Sequence, residues 1–349
     1  MSRPPPGAVE QVRFLQQLQR ILSDGGFVAT YKFALLHALA DLAVVRGNDT
    51  GDELPLKTWE ISEQLIELYW RQAAPFPAAT PAVLNQNAGR QAAIVTRITA
   101  ARDRHGGTLG QVKQNREAWE KLVRRVDRTL CEMPLWKLQT VGREKLDFLY
   151  ENVGTGDQII LQPGVAYCFR VFYDLILDLV RGAWLRFVRS RNLGVLGSTV
   201  DLSAFLFGTE RSSLAVYQPI LMEVQRGECF YCGGRLQAGV AVDHFVPWSR
   251  YPIDLGHNFV LAHGSCNSSK ADHLAAEHHL ERWLSRNRTF ETELHTAFSA
   301  AGILHDAHAS RAVAHWAYGT AARLGSLVWL NRSSLEKLSP HWHQLFAAS

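Results

Sequence analysis

The feature that most constrains this chain is a pair of residue pairs. Cys229 and Cys232 form a CxxC, and His263 and Cys266 repeat that internal spacing 31 residues beyond Cys232. Four soft donors on two separate turns reach one cation only if the chain folds back so that the turns meet. A tetrahedral structural Zn²⁺ is the ion that such a donor set suits. Gly233 and Gly234, directly after the first pair, fit a knuckle in which backbone amides turn toward thiolates. A lone CxxC is also the pattern of a redox pair. The second pair turns the reading to zinc held by Cys229, Cys232, His263 and Cys266, in a small unit whose folding free energy the metal would supply.

Composition sets the frame around this unit. The chain has 349 residues, 47% hydrophobic and 20% charged, which excludes a disordered or fibrous protein and leaves room for two or three domains. Five cysteines are too few for a disulfide scaffold, and Cys131 and Cys168, outside the proposed ligand set, read as buried core thiols. The opening MSRPPPGAVEQVRF lacks the apolar core of a signal peptide, and the longest apolar stretch is interrupted by His37 and Asp41. A soluble, cytoplasmic protein with no membrane span is expected.

The formal charge of +4 falls entirely within residues 1–220, while residues 221–349 balance. Two basic groups stand out there, residues 90–128 and the set Arg181, Arg186, Arg189 and Arg191. Such groups are either solvated helix faces or phosphate contacts.

Periodicity makes the N-terminal region mostly helical. VEQVRFLQQLQRIL, YKFALLHALADLAVV and KTWEISEQLIELYWRQ carry apolar residues at helical spacing, and APFPAATPAV reads as a loop. Residues 90–128 suit two helices broken at Gly106-Gly107. Short strands are expected near Leu146–Asn152 and Gln158–Gln162, then one long helix after Pro163-Gly164 whose aromatic and leucine stripe packs the core. Beyond residue 226 come short extended pieces, a helix from near Ser265, and further helices after residue 275. The expected fold class is mainly α with a small α+β domain. The expected domains are 1–220 (helical, basic, binding DNA or a partner), 221–275 (the zinc-containing core) and 276–349 (a helical extension that completes the core or caps it).

Between the zinc pairs lies a second set of residues. Asp243-His244 closes the apolar AVDH, Asn258 opens NFVLA, and Asn267 follows Cys266 at the start of a helix. DHFVPWS and HNFVLAHGSCNSSK, in that order beside a knuckle, resemble the HNH endonucleases, whose ββα-metal (His-Me finger) core presents a strand-borne His, an Asn and a helix-borne His or Asn. The resemblance covers about 45 residues. It implies a metal-dependent endonuclease that hydrolyses DNA phosphodiester bonds, by nicking or by double-strand cleavage. His244 would be the general base, and Asn258 would orient its strand and ring. Asp243 and Asn267 would hold a catalytic Mg²⁺ or another divalent cation, while Lys270, one turn on, reads equally as a phosphate contact or as a solvated lysine. The chemistry is coherent on its own terms, because phosphodiester hydrolysis needs a base for water and a Lewis acid for developing charge. A histidine one turn after Asn267, found in some relatives, is replaced here by Ala271. His257 reads as structural, and His273 is left without a role.

Two other readings stand beside this one: a zinc-stabilised module that binds nucleic acid without cutting it, and an RNase of the same core. By analogy with HNH effectors of bacterial restriction and antiphage defence, the helical half could dock a partner ATPase or sensor. Oligomeric state is left open.

Overall fold

The computed structural model describes residues 2–78, 80–105, 108–196, 201–208 and 211–347. It is mostly helical with four two-stranded antiparallel sheets, in keeping with a mainly α chain carrying small α+β elements. Among the described residues no helix is long and apolar enough to cross a membrane. The chain divides into two compact units: residues 1–107 with 115–208, and residues 108–114 with 209–349.

The first unit is organised by the helix Tyr31–Arg46. Its sequence is apolar nearly all round, so it has no solvent face to offer, and every residue from Phe33 to Val44 is buried. Thr58–Trp70, Val165–Val171 and Tyr173–Arg191 pack against it. Leu54–Lys57 pairs antiparallel with Gln158–Leu161. The strand expected at Leu146–Asn152 does not form, and only an isolated bridge joins Tyr150 to Leu161. The reason lies in Gln139, whose side-chain amide accepts from Leu149 N–H at 2.6 Å and donates to the Tyr150 carbonyl at 2.8 Å. With those backbone groups satisfied by an amide, the segment needs no ladder. The long helix after Gly164 is two helices, Val165–Val171 and Tyr173–Arg191, with Phe172 between them at φ −102°. Its apolar stripe, including Phe169, Tyr173, Val180 and Trp184, is buried.

The basic stretch forms three helices, Ala93–His105, Leu109–Gln114 and Arg116–Glu132, while the expected break at Gly106-Gly107 lies outside the described residues. Asn115 caps the third by accepting from Ala118 N–H. Trp119, Leu122, Val123, Val126 and Leu130 are buried on one side, and Lys121, Arg124, Arg125 and Arg128 are exposed on the other.

The second unit is built on a hairpin that runs straight into a helix. Val240–His244 pairs antiparallel with Phe259–His263, in a register that sets His244 opposite Phe259, and the helix Gly264–Lys270 follows at once. Phe259 and Leu261 pack with Tyr217, Leu221, Leu294, Phe298 and Ile303. The expected boundaries at 220/221 and 275/276 do not coincide with this division. The first would cut the helix Tyr217–Val224, whose Tyr217 and Leu221 belong to the hairpin's core. Across the second, Arg286 of the helix Glu277–Thr289 is buried and donates to the carbonyls of Phe259 (2.7 Å) and His257 (2.8 Å). Desolvation pulls its guanidinium down to about 9. Trp283 Nε1 donates to the same His257 carbonyl at 3.0 Å. The C-terminal helices therefore complete the core around the hairpin.

Candidate metal centre and histidine site

The two ligand pairs meet. One ligand atom from each of Cys229, Cys232, His263 and Cys266 lies within 4.8 Å of the others. The first pair sits on a tight turn in which Cys229 N–H donates to the Gly234 carbonyl and Gly233 N–H to the Cys229 carbonyl. Gly233 has φ +70°, a conformation that favours glycine. At Gly234 an added Cβ would stand 3.3 Å from His263 Cε1 and 3.5 Å from Cys232 Sγ, so the turn runs close against the ligands. His263 Nδ1 lies 3.3 Å from Cys232 Sγ while Nε2 meets the Arg235 carbonyl at 3.1 Å, which aims Nδ1 at the sulfurs. His263 N–H also donates to Cys229 Sγ at 3.4 Å. Burial and then its two neighbouring cysteines push the Cys266 thiol up to about 12, so it becomes a thiolate at neutral pH only with a cation beside it. The cluster can hold a metal ion such as zinc.

Asp243 and His244 are consecutive on a strand, so their side chains leave on opposite faces. Asp243 is buried. Its Oδ2 accepts from Tyr231 OH at 2.5 Å and lies 3.1 Å from Lys270 Nζ. Lys270 is fully buried and also donates to the His244 carbonyl at 3.0 Å. This corrects the expectation for Lys270: its ammonium is an internal strut between the helix and the strand and does not face a phosphate. Asp243 Oδ1 is without a hydrogen-bond partner among the described residues and is not sealed from solvent. Asn267, one turn before Lys270, is half-buried.

His244 stands at the end of its strand with its ring 4.4 Å from that of Phe259. Its Nε2 lies 2.6 Å from Asp254 Oδ1, and the imidazole is 13% exposed. Among the described residues Asn258 makes no hydrogen bond to this ring. Its Oδ1 accepts from Val246 N–H at 2.8 Å and its Nδ2 donates to the Val246 carbonyl at 2.9 Å. The role expected for Asn258 is therefore corrected in part: it clamps the backbone just after His244, and Asp254 holds the ring. An amide suits the clamp because it donates and accepts at once.

His257 is buried against Phe298, with both ring nitrogens unpaired among the described residues, and burial followed by the Arg286 charge pulls it down to about 4. A neutral, packed ring is what the structural reading requires. His273 is half-buried, with its N–H on the Lys270 carbonyl. Cys168 is buried as expected, but Cys131 is only half-buried beside Asp127.

The sequence left Tyr231 and Asp254 without roles. Tyr231 lies inside the CxxC, so its position was fixed by the knuckle. Asp254 lies in the connection between strands, where no periodicity marks it. No protein family, no curated protein and no solved structure matches the chain.

Proposed function

We propose that this protein is an HNH-type endonuclease that hydrolyses phosphodiester bonds in DNA. The observation that carries the reading is the second unit's core: an antiparallel hairpin running into a helix, with His244 ending the first strand and Asn258 clamping the turn after it. The four-ligand cluster ties the helix to a preceding knuckle, which keeps Asn267 and Asp243 on one rigid frame.

In this reading His244 takes a proton from water as the water oxygen bonds to phosphorus. The bond to the leaving oxygen breaks, and that oxygen takes its proton from solvent. Asn258 holds the backbone that carries the ring. Asp243, steadied through Oδ2 by Tyr231 and Lys270, presents Oδ1, and Asn267 presents its amide oxygen. A Mg²⁺ held by these two oxygens would supply, when bound, charge stabilisation at the phosphate. The first unit offers a phosphate-compatible face. Glu120 pairs with Arg116 and Arg124, while the exposed Lys121, Arg125 and Arg128 lack a carboxylate within ion-pair distance among the described residues. Their spacing of i, i+4 and i+7 puts them on one stripe.

The test is incubation of the zinc-loaded protein with supercoiled, linear and single-stranded DNA and with RNA, each with and without Mg²⁺. The expected result is Mg²⁺-dependent cleavage of DNA, with His244→Ala lowering turnover by roughly 10²–10⁴-fold and leaving DNA affinity nearly unchanged. DNA retention with no product on any substrate would instead mark a binding module. Cleavage of RNA alone would mark an RNase.

A further inference from the structure

The partner of the reactive histidine decides which of its nitrogens can act. Asp254 belongs to the connection between the two strands, and its Oδ1 stands 2.6 Å from His244 Nε2. A carboxylate oxygen only accepts, so in the neutral ring the proton of that contact sits on Nε2. The lone pair is then on Nδ1, which has no hydrogen-bond partner among the described residues and is not closed off from solvent. Phe259 packs against the ring, so a flip of the ring, which would put Cε1 where Nε2 stands, would give up the carboxylate while the ring stayed crowded.

The Asp254 side chain is 23% exposed, and Tyr217, from the helix packed on the hairpin, lies close enough to feel its charge. The Tyr217 hydroxyl is held above its ordinary range, first by burial and then by Asp254.

We infer that Asp254 is a positioning residue that fixes the Nε2–H tautomer of His244 and makes Nδ1 the nitrogen that accepts the proton from water. With the other tautomer, Nδ1 would point an N–H at the water and could not take a proton. When Nδ1 accepts, an O–H bond of water breaks, the ring becomes an imidazolium and Asp254 faces its new charge. The proton then leaves to solvent, and the ring returns to its starting tautomer. The catalytic meaning of this assignment rests on the endonuclease reading, but the tautomer does not.

The experiment uses the full-length, zinc-loaded protein labelled with ¹⁵N-histidine. The signals of His244 are identified by their loss in His244→Gln. Long-range ¹H–¹⁵N correlation, at a pH where the ring is neutral, reads which nitrogen carries hydrogen. The expected result is a proton on Nε2 alone in the parent and a mixture of both tautomers in Asp254→Ala. Zinc content and melting of the variant should match the parent. On DNA, Asp254→Ala should lower kcat by about tenfold to a hundredfold with KM little changed. A parent proton on Nδ1, an unmixed parent-like tautomer in Asp254→Ala, or an unchanged kcat despite mixing would each overturn the assignment. If the parent shows the Nε2–H tautomer but cuts no DNA, the nuclease reading falls and the role of Asp254 in setting the tautomer stands.

Discussion

Two buried aspartates, one in each unit, accept a tyrosine hydroxyl and end in different situations. Asp41 lies in the apolar helix Tyr31–Arg46, with Tyr173 OH donating to Oδ1 at 2.6 Å. Asp243 lies on the strand Val240–His244, with Tyr231 OH donating to Oδ2 at 2.5 Å. The cation separates them. Lys270 Nζ sits 3.1 Å from Asp243, whereas Arg181, whose charge reaches Asp41, points Nη2 at His37 Nε2. Without an ammonium on it, Asp41 is pushed up to about 7 by burial, and burial also holds His37 well below its ordinary value. A helical core that only packs can hold its acid and its imidazole neutral. A strand that presents a carboxylate oxygen toward solvent carries an ion pair behind it.

Three variants sharpen this contrast. The largest effect is expected from Cys229→Ser, which removes a ligand from the metal cluster. Structural zinc is worth on the order of 10 kcal/mol to such units, so hydrogen exchange should show peptides of the second unit losing protection while those of the first keep theirs. Loss of zinc with protection intact in both units would remove the metal from the account of stability.

Lys270→Met comes next. It strands the Asp243 carboxylate beside an apolar side chain and should cost about 3–5 kcal/mol, read from urea unfolding of the second unit. A change below about 1 kcal/mol would mean that the ion pair is not what distinguishes the two aspartates.

Asp41→Asn is the mildest, because an amide oxygen can still accept from Tyr173. The folded carboxyl of Asp41 is raised from 3.8 to about 7, so between those values the folded chain holds a proton that the unfolded chain releases. Its contribution to stability is full below about pH 4 and is lost as pH rises through about 7. The lowered His37 gives the opposite slope below its ordinary value of 6.5, so the clean quantity is variant minus parent. The relative stability of Asp41→Asn should grow from about pH 4 to about pH 7, by no more than about 1.4 kcal/mol per pH unit, and then level off. Thermal unfolding across that range reads it, and a pH-independent difference would show that Asp41 does not titrate in the fold.

What the sequence revealed followed from how directly each feature is written in it. The zinc ligands were legible because covalent spacing alone brings Cys229 and Cys232 onto one turn, and His263 and Cys266 onto the next. The helix Tyr31–Arg46 was legible because its apolar run is longer than a strand and holds no Gly or Pro. The burial of Lys270 was not, since lysines are rarely fully buried and a seven-residue helix does not announce which side packs. Asp254 acts across a connection with no repeating pattern. The strand at 146–152 failed because Gln139, a side chain outside the segment, took its backbone groups. The boundary at 220/221 followed charge balance, which compact packing ignores.

The short helix after the hairpin has one more consequence. Within Gly264–Lys270, Cys266 serves the metal cluster, Asn267 the proposed cation seat and Lys270 the buried carboxylate. A helix turns about 100° per residue, so an inserted residue between Gly264 and Cys266 would swing all three away together. Drift in chain length within this stretch would therefore cost the metal cluster, the proposed cation seat and the buried ion pair at once.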